Sequence, residues 1–295
     1  DGLGTNRATL MARLPAAMQL GEQNTRAHAT GQVDLFGLAA VSAPRDDRSA
    51  VAELEDWPSA VRLAGERETL GLFLTGHPIA EYETELASLT HGRLADLAAE
   101  RAPAPSERGW QYGGNANLVT VAGLVLEVRR RANRVSLILD DRTGRMEVTL
   151  FDDVLQAHRE LIVKDAILLI DGNLRFDEFT EGWRLAARKL QNMWQVREQQ
   201  ARRLHVRIPA AASGVEFILR LEELMKPVRK PGGCSVLLHY STGQAEAQLA
   251  LGPDWTVRPT REFLERLTKL VGRESWRLAY GQRASTAESA ATEGA

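Results

Sequence analysis

Two acidic pairs, Asp140-Asp141 and Asp152-Asp153, come nearest to a catalytic pattern in this 295-residue sequence. Carboxylates that converge on two metal ions about 4 Å apart would support nucleotidyl transfer. Both pairs fall where strands are expected to end, and turn and helix-start roles account for them. His77 has no second His, Cys or acidic ligand at a useful spacing and reads as a turn residue. The single cysteine, Cys234, sits beside Gly232 and Gly233 with no identifiable base, as expected of a packed thiol. The sequence holds no glycine-rich phosphate loop with its lysine, no Ser/His/Asp set and no zinc spacing. What these residues offer is recognition rather than bond-making, and no active site is expected in the segment.

Two recognition features stand out. The first is Gln32-Val33-Asp34-Leu35-Phe36, an apolar hook with a polar handle, in a stretch (23–53) rich in Gly, Ala, Ser, Thr, Pro and charge, where no periodicity persists. Burying Leu35 and Phe36 in a partner's pocket would contribute roughly 1.5–3 kcal/mol each. Gln32 hydrogen-bonds through both carbonyl and amide and fixes the orientation. This is the pattern of a docking peptide on a tether. The second is the cluster Arg129, Arg130, Arg131 and Arg134. It surrounds one expected hairpin in a module (117–196) that is otherwise balanced at 12 Lys or Arg against 12 Asp or Glu. Phe151, Phe176 and Trp183 are available beside it for base stacking if they face outward, so Arg129, Arg130, Arg131, Arg134, Phe151 and Trp183 form the candidate nucleic-acid set.

The elements that must position these residues follow from periodicity. Leu10, Met11, Leu14 and Met18 predict a helix over 5–20, kinked or restarted at Pro15, as the end of a helical domain at 1–22. After the tether, helices over 57–74 and 78–89 make a helical segment at 54–99, with Gly76 and Pro78 between them. A Pro-, Ala- and Arg-rich linker (100–115) precedes strands at 118–131, 134–139 and 145–151, a short helix over 154–162, and strands at 166–176 and 183–193. Three strands, a helix and two strands, with Gly123 where a small barrel must bend, is the order of a five-stranded OB-fold barrel, placed at 116–196. A basic connector (197–207) leads to a small α/β domain at 203–281 with helices over 214–225 and 260–271. Its strands are expected at 204–208, 235–240, 245–251 and 274–280, with helices on one sheet face. The tail, 282–295, is expected to be disordered. The fold class is multidomain α+β. Trp255 and Trp276 are surface-anchor candidates for which core packing serves equally well.

Composition bounds the rest. Charged residues at 26% and hydrophobic ones at 44% describe a soluble globular protein with material for several cores. One cysteine excludes an internal disulfide and fits a reducing, cytoplasmic compartment. No apolar run spans a bilayer and no signal peptide opens the chain, so no membrane partner is expected. The missing initiator Met marks a segment of something longer. A net charge of -2 means that any polyanion surface is local.

Several ordered motifs together resemble the C-terminal third of the alpha subunit of bacterial DNA polymerase III. They are DGLGTNRATLMARLP, GQVDLFG, ERETLGLFLTGHPIAEYE, LILDDRTGRMEVTLFDD and WTVRPTREFLERLTKLVG. The Gln-x-x-Leu-Phe pattern is similar to the internal sliding-clamp motif of bacterial replication and repair proteins. The resemblance implies a helix-hairpin-helix end contacting duplex DNA and a clamp site made of Gln32, Asp34, Leu35 and Phe36 for the sliding clamp beta subunit. It also implies an OB domain near single-stranded template DNA and a C-terminal domain binding the clamp-loader tau subunit, within the replicase holoenzyme. The phosphoesterase-like domain and the palm with its aspartates lie outside this sequence. A DNA-directed DNA polymerase activity and its Mg2+ are therefore expected of the parent chain, with no cofactor in this segment. A free-standing clamp-associated single-strand-binding protein is the alternative. An aminoacyl-tRNA synthetase lacks support because ATP-binding motifs are missing.

Overall fold

The computed structural model describes residues 4–29, 53–100, 118–131, 134–177, 182–208, 214–241 and 246–281. The hook Gln32, Asp34, Leu35 and Phe36, the 100–115 linker after its first residue, and the tail lie outside the described residues. Two compact units, Asp1–His77 and Pro78–Ala295, divide the chain.

In the first unit, α1 (Arg7–Ala29) starts where the Asn6 carboxamide accepts the Thr9 N–H at 2.8 Å. The helix does not restart at Pro15 and runs past the expected end at Leu20, so residues assigned to the tether are helical. Two contacts in its last turns oppose an early stop. Arg26 pairs with Glu22 one turn back at 3.8 Å, and the Thr25 hydroxyl donates to the Gly21 carbonyl at 2.8 Å. The second helix, α2 (Ser59–Leu70), is shorter than expected because Gly71, at φ 74°, turns the chain left-handed and ends it. Its buried Glu66 accepts from the Leu74 N–H (2.6 Å), the Thr75 N–H (2.9 Å) and Arg7 Nη1 (2.6 Å). Burial alone would raise the Glu66 pKa, but these donors overcome it and hold the carboxyl at about 2. Glu66 therefore closes the turn after α2 and fastens the start of α1.

The second unit opens with a 3-10 helix (Pro78–Tyr82) and α3 (Glu83–Leu89), where one continuous helix was expected. Sequence reading has no counterpart for α4 (Leu94–Glu100). Its seven residues are too few to show a period, and its first N–H groups are held by Asp141 Oδ2 (2.7 Å) and Thr143 Oγ1 (3.3 Å) from a distant turn.

The barrel follows the expected order: β1 (Leu118–Arg131), β2 (Arg134–Asp140), β3 (Arg145–Leu150), α5 (Asp152–Ala157), β4 (Ile167–Asp177) and β5 (Gly182–Asn192). It closes as β1-β2-β3-β5-β4, with β3 and β5 parallel. Alternation sends Val119, Val121, Leu137, Leu139, Val148 and Leu185 into one core. At Leu124 the long first strand passes from β4 to β2, with a bulge between Val125 and Glu127. Gly123 immediately precedes this switch, where a Cβ would come within 3.0 Å of Leu139 Cβ. On the outside of β1 and β4, Ala122 and Leu169 are covered by Ile79, Leu86, Leu89, Met193 and Val196. Among the described residues, no second hydrophobic cluster covers the outer faces of β2, β3 and β5.

The stretch read as a basic connector is regular structure. Asn192 caps α6 (Met193–Gln200) with a reciprocal box to Gln195, and β6 (Ala201–Ile208) follows directly. Arg197 is buried, and its Nε (3.0 Å) and Nη2 (2.5 Å) grip the carboxylate of Glu85 on α3. Three further elements follow: α7 (Val215–Met225), β7 (Arg229–Ser241) and β8 (Glu246–Ala250). The fold ends with α8 (Arg261–Val271), capped by Thr260, and β9 (Trp276–Tyr280). The sheet order is β8-β7-β6-β9, with β6 and β7 parallel. Both long helices pack on one face, where Phe217, Leu221, Phe263 and Leu267 meet Leu204, Val206, Val236 and Leu278. Tyr280 OH donates to Glu85 Oε2 at 2.6 Å, so α3, α6 and β9 meet at one buried carboxylate.

Candidate nucleic-acid interface

Strand register decides which of the candidate residues share the open face of the barrel. Glu127, Arg129 and Arg131 alternate outward on β1, and Arg131 pairs directly with Arg134 on β2. One step beyond the pair Val135–Leu150, the same register sets Arg134 opposite Phe151. The parallel pairing Thr149–Ala186 continues toward Phe151 and Arg188. Phe151, Asn173, Arg175, Ala186 and Arg188 line one open cavity of about 490 Å³, to which Asp153 at the start of α5 contributes a carboxylate. Phe151 is 44% exposed, which is high for a phenylalanine beside a closed core.

Charge divides this face into two ends. At one end the arginines are neutralised: Arg184 bridges Glu147 (3.2 Å) and Asp177 (2.7 Å), Arg145 meets Asp140 (3.0 Å), and Arg129 meets Glu127 (2.9 Å). The hydrogen bond from Arg129 and its charge hold the Glu127 carboxyl below the ordinary range. At the other end Arg131, Arg134 and Arg188 are exposed and make no ion pair among the described residues. Two arginines directly opposite each other across strands repel, and an anion between them removes that cost. The Asn173 Oδ1 in the same cavity is buried without a hydrogen-bond partner.

The structure therefore brings Arg131, Arg134 and Phe151 together and adds Arg175, Arg188 and Asn173, which lie far along the sequence and share no local motif. Arg129 is engaged by its neighbour. Arg130 pairs with Val135, which packs against the core, and so belongs to the opposite parity. Trp183 turns inward too. It packs against the core and meets Phe176 edge-on at 5.4 Å, so neither ring lies on the outer face with Phe151. The acidic pairs lie at opposite ends of β3. Asp141 Oδ1 closes the β2–β3 turn by accepting from Thr143 N (2.9 Å) and Gly144 N (3.0 Å), and Asp152 and Asp153 open α5. Trp276 is buried, with Nε1 donating to Thr268 Oγ1 at 2.8 Å, and Trp255 is partly buried under Arg229.

Comparison with known proteins gives the barrel and the last domain separate counterparts. Residues 119–192 match the family described as OB-fold nucleic acid binding domain. Residues 220–272 match DNA polymerase III subunit alpha, C-terminal domain. A DNA polymerase III subunit alpha from Vibrio cholerae is 37% identical over 285 residues, 95% of this chain. The Escherichia coli K12 subunit is 37% identical over 286 residues, again 95% of the chain. Over nearly its whole length the chain matches the C-terminal region of DNA polymerase III alpha subunits. It spans 23% of the length of each of these curated relatives. Among solved structures, a replication protein A heterotrimer bound to ssDNA aligns with 32% of this chain and 73% of that one, at 18% identity and a TM-score of 0.26.

Proposed function

We propose that this chain is the processivity and nucleic-acid-contact portion of a cytoplasmic bacterial replicative DNA polymerase, and that it is inactive alone. The parent chain is a DNA-directed DNA polymerase whose Mg2+ belongs to its catalytic part. In this reading the barrel contacts single-stranded template, Gln32, Asp34, Leu35 and Phe36 bind the sliding clamp beta subunit, and the C-terminal α/β domain binds the clamp-loader tau subunit.

One observation carries the barrel's role: an exposed Phe151 that shares a cavity with Arg188 and stands, by strand register, beside Arg134 and its cross-strand partner Arg131, cations with no ion pair among the described residues. Bases stack on an aromatic ring whatever their identity, while the arginines hold phosphates on either side. The neutralised end of the face adds no net attraction, which confines the strand to the Phe151 end.

The test is anisotropy of a labelled deoxythymidine 20-mer with the chain. Phe151→Ala is expected to weaken binding by about 1–3 kcal/mol, or roughly 5- to 150-fold, and Arg134→Gln with Arg188→Gln to flatten the salt dependence. Unchanged affinity and salt slope in all of these variants would refute the barrel reading. Calorimetry against the sliding clamp tests the hook. Micromolar binding should disappear in the Leu35→Ala/Phe36→Ala variant, and equal binding by both forms would remove the clamp assignment.

A further inference from the structure

Among the described residues the C-terminal sheet carries its two long helices on one face, and its opposite face is basic. On that face β6 presents Arg203, His205 and Arg207, β9 presents Arg277, β7 presents His239 and β8 presents Gln248. Arg277 is the direct cross-strand partner of His205, and His239 pairs with Arg207 on one side and Gln248 on the other. All three arginines are exposed and make no ion pair among the described residues. The sole carboxylate in the described strands of this face, Glu246, stands at a corner and accepts from Ser241 at 3.4 Å.

We infer that this open sheet face is a second single-stranded nucleic-acid site, separate from the barrel groove, which binds the phosphate backbone through Arg203, Arg207 and Arg277. Spacing supports a backbone ligand. Arg203, Arg277 and Arg207 stand at successive levels two residues apart along the strands, steps of about 6.6 Å, on the scale of consecutive phosphates in an extended strand. Guanidinium groups suit phosphate through paired N–H donors. Between the arginines the His205 and His239 rings lie nearly parallel at 23°, with centroids 5.1 Å apart and nitrogens at 2.9 Å. This leaves a flat aromatic surface in the middle of the cationic track. The local field is unbalanced: burial, then Arg277, His239 and Arg203, lowers the His205 pKa, and no carboxylate opposes them. A nucleic acid fits this surface better than an acidic peptide because the surface offers flat rings for stacking beside the cations, with Leu237, opposite His205, as its large aliphatic residue.

The experiment uses the full chain in a background that disables the barrel groove (Arg134→Gln/Phe151→Ala/Arg188→Gln), so the two readings fail separately. Binding of a labelled deoxythymidine 20-mer is measured across a KCl series. The background protein should retain binding, and adding Arg203→Gln, Arg207→Gln and Arg277→Gln should cut it at least tenfold at low salt. The log–log salt slope should fall by about 2, since each single-strand phosphate contact contributes about 0.7. Replacing the same three residues with Lys should restore the slope, because the charge remains. Loss of all binding in the background protein, an unchanged slope in the glutamine variant, or displacement of the oligonucleotide by polyglutamate more effectively than by polythymidylate would each overturn the inference. The last result would identify an acidic protein segment instead. Full binding by the background protein that the second set abolishes would remove the barrel reading and leave this one standing.

Discussion

Changing Glu85 to Gln removes one charge and almost no volume from the place where α3, α6 and β9 meet. Arg197 is 3% exposed and donates twice to that carboxylate, at 3.0 and 2.5 Å. Tyr82, Trp194 and Trp276 surround its guanidinium at 5.2, 4.9 and 5.9 Å, and these rings cannot replace a counter-ion. Among the described residues Arg273 is the other cation near Glu85, at 3.9 Å, and it adds to the excess positive charge. Leaving a buried guanidinium unpaired costs about 3–5 kcal/mol. A unit of this size loses about 2–4 °C per kcal/mol, so the expected fall in Tm is roughly 6–20 °C. Tyr280 can still donate to the Gln oxygen, and the loss therefore isolates the charge. The assay is thermal unfolding of the parent, Glu85→Gln, and Glu85→Gln/Arg197→Met, followed by near-ultraviolet dichroism. The double variant should recover much of the loss, because no charge is then buried alone. Burial raises the Glu85 pKa, but Arg197, Tyr280 and Arg273 outweigh it and hold it below the ordinary range. Its contribution is therefore complete above the unfolded value of about 4.3 and is lost as pH falls through the lower folded value. The difference between the parent and Glu85→Gln should close in that acid range. A Glu85→Gln protein melting within about 2 °C of the parent at pH 7, or a double variant below the single one, would refute the reasoning.

Two further outcomes follow from packing. Gly172 sits where the β4–β5 register shifts, and a Cβ there would lie 2.5 Å from the Ala186 carbonyl oxygen. Gly172→Ala should cost about 1–3 kcal/mol in denaturant unfolding, and a neutral result would show that the bulge yields freely. Cys234 is buried, which pushes its thiol up to about 12. A disulfide reagent at pH 8 should label it only at the rate of unfolding, and prompt labelling of the native chain would contradict that burial.

Barrel strands were legible because each element announces itself locally. β1 shows as a run of Val and Leu from Leu118 onward, and Asp140 to Gly144 spell a turn. What stayed hidden depends on distance along the chain. Nothing near Arg197 shows that Glu85, 112 residues earlier, neutralises it, so a buried helix read as a basic linker. Arg203 and Arg207 strengthened that impression, although the alternation of Leu204, Val206 and Ile208 with them is that of a half-buried strand. The candidate interface was half legible. The arginine cluster and Phe151 were marked by sequence, but the parity of Arg130 and the inward turn of Trp183 depend on a bulge and on closure. Arg188 joins the site through the parallel pairing of β3 with β5, and Asn173 and Arg175 through the pairing of β5 with β4.

Asn192 ends β5, Met193 begins α6, Gln200 ends it and Ala201 begins β6, with no residue in between. The barrel and the last sheet are thus spliced through a single helix, and the grip of Arg197 on Glu85 clamps that helix from the side. A pull applied to the last sheet meets no slack before it reaches the barrel.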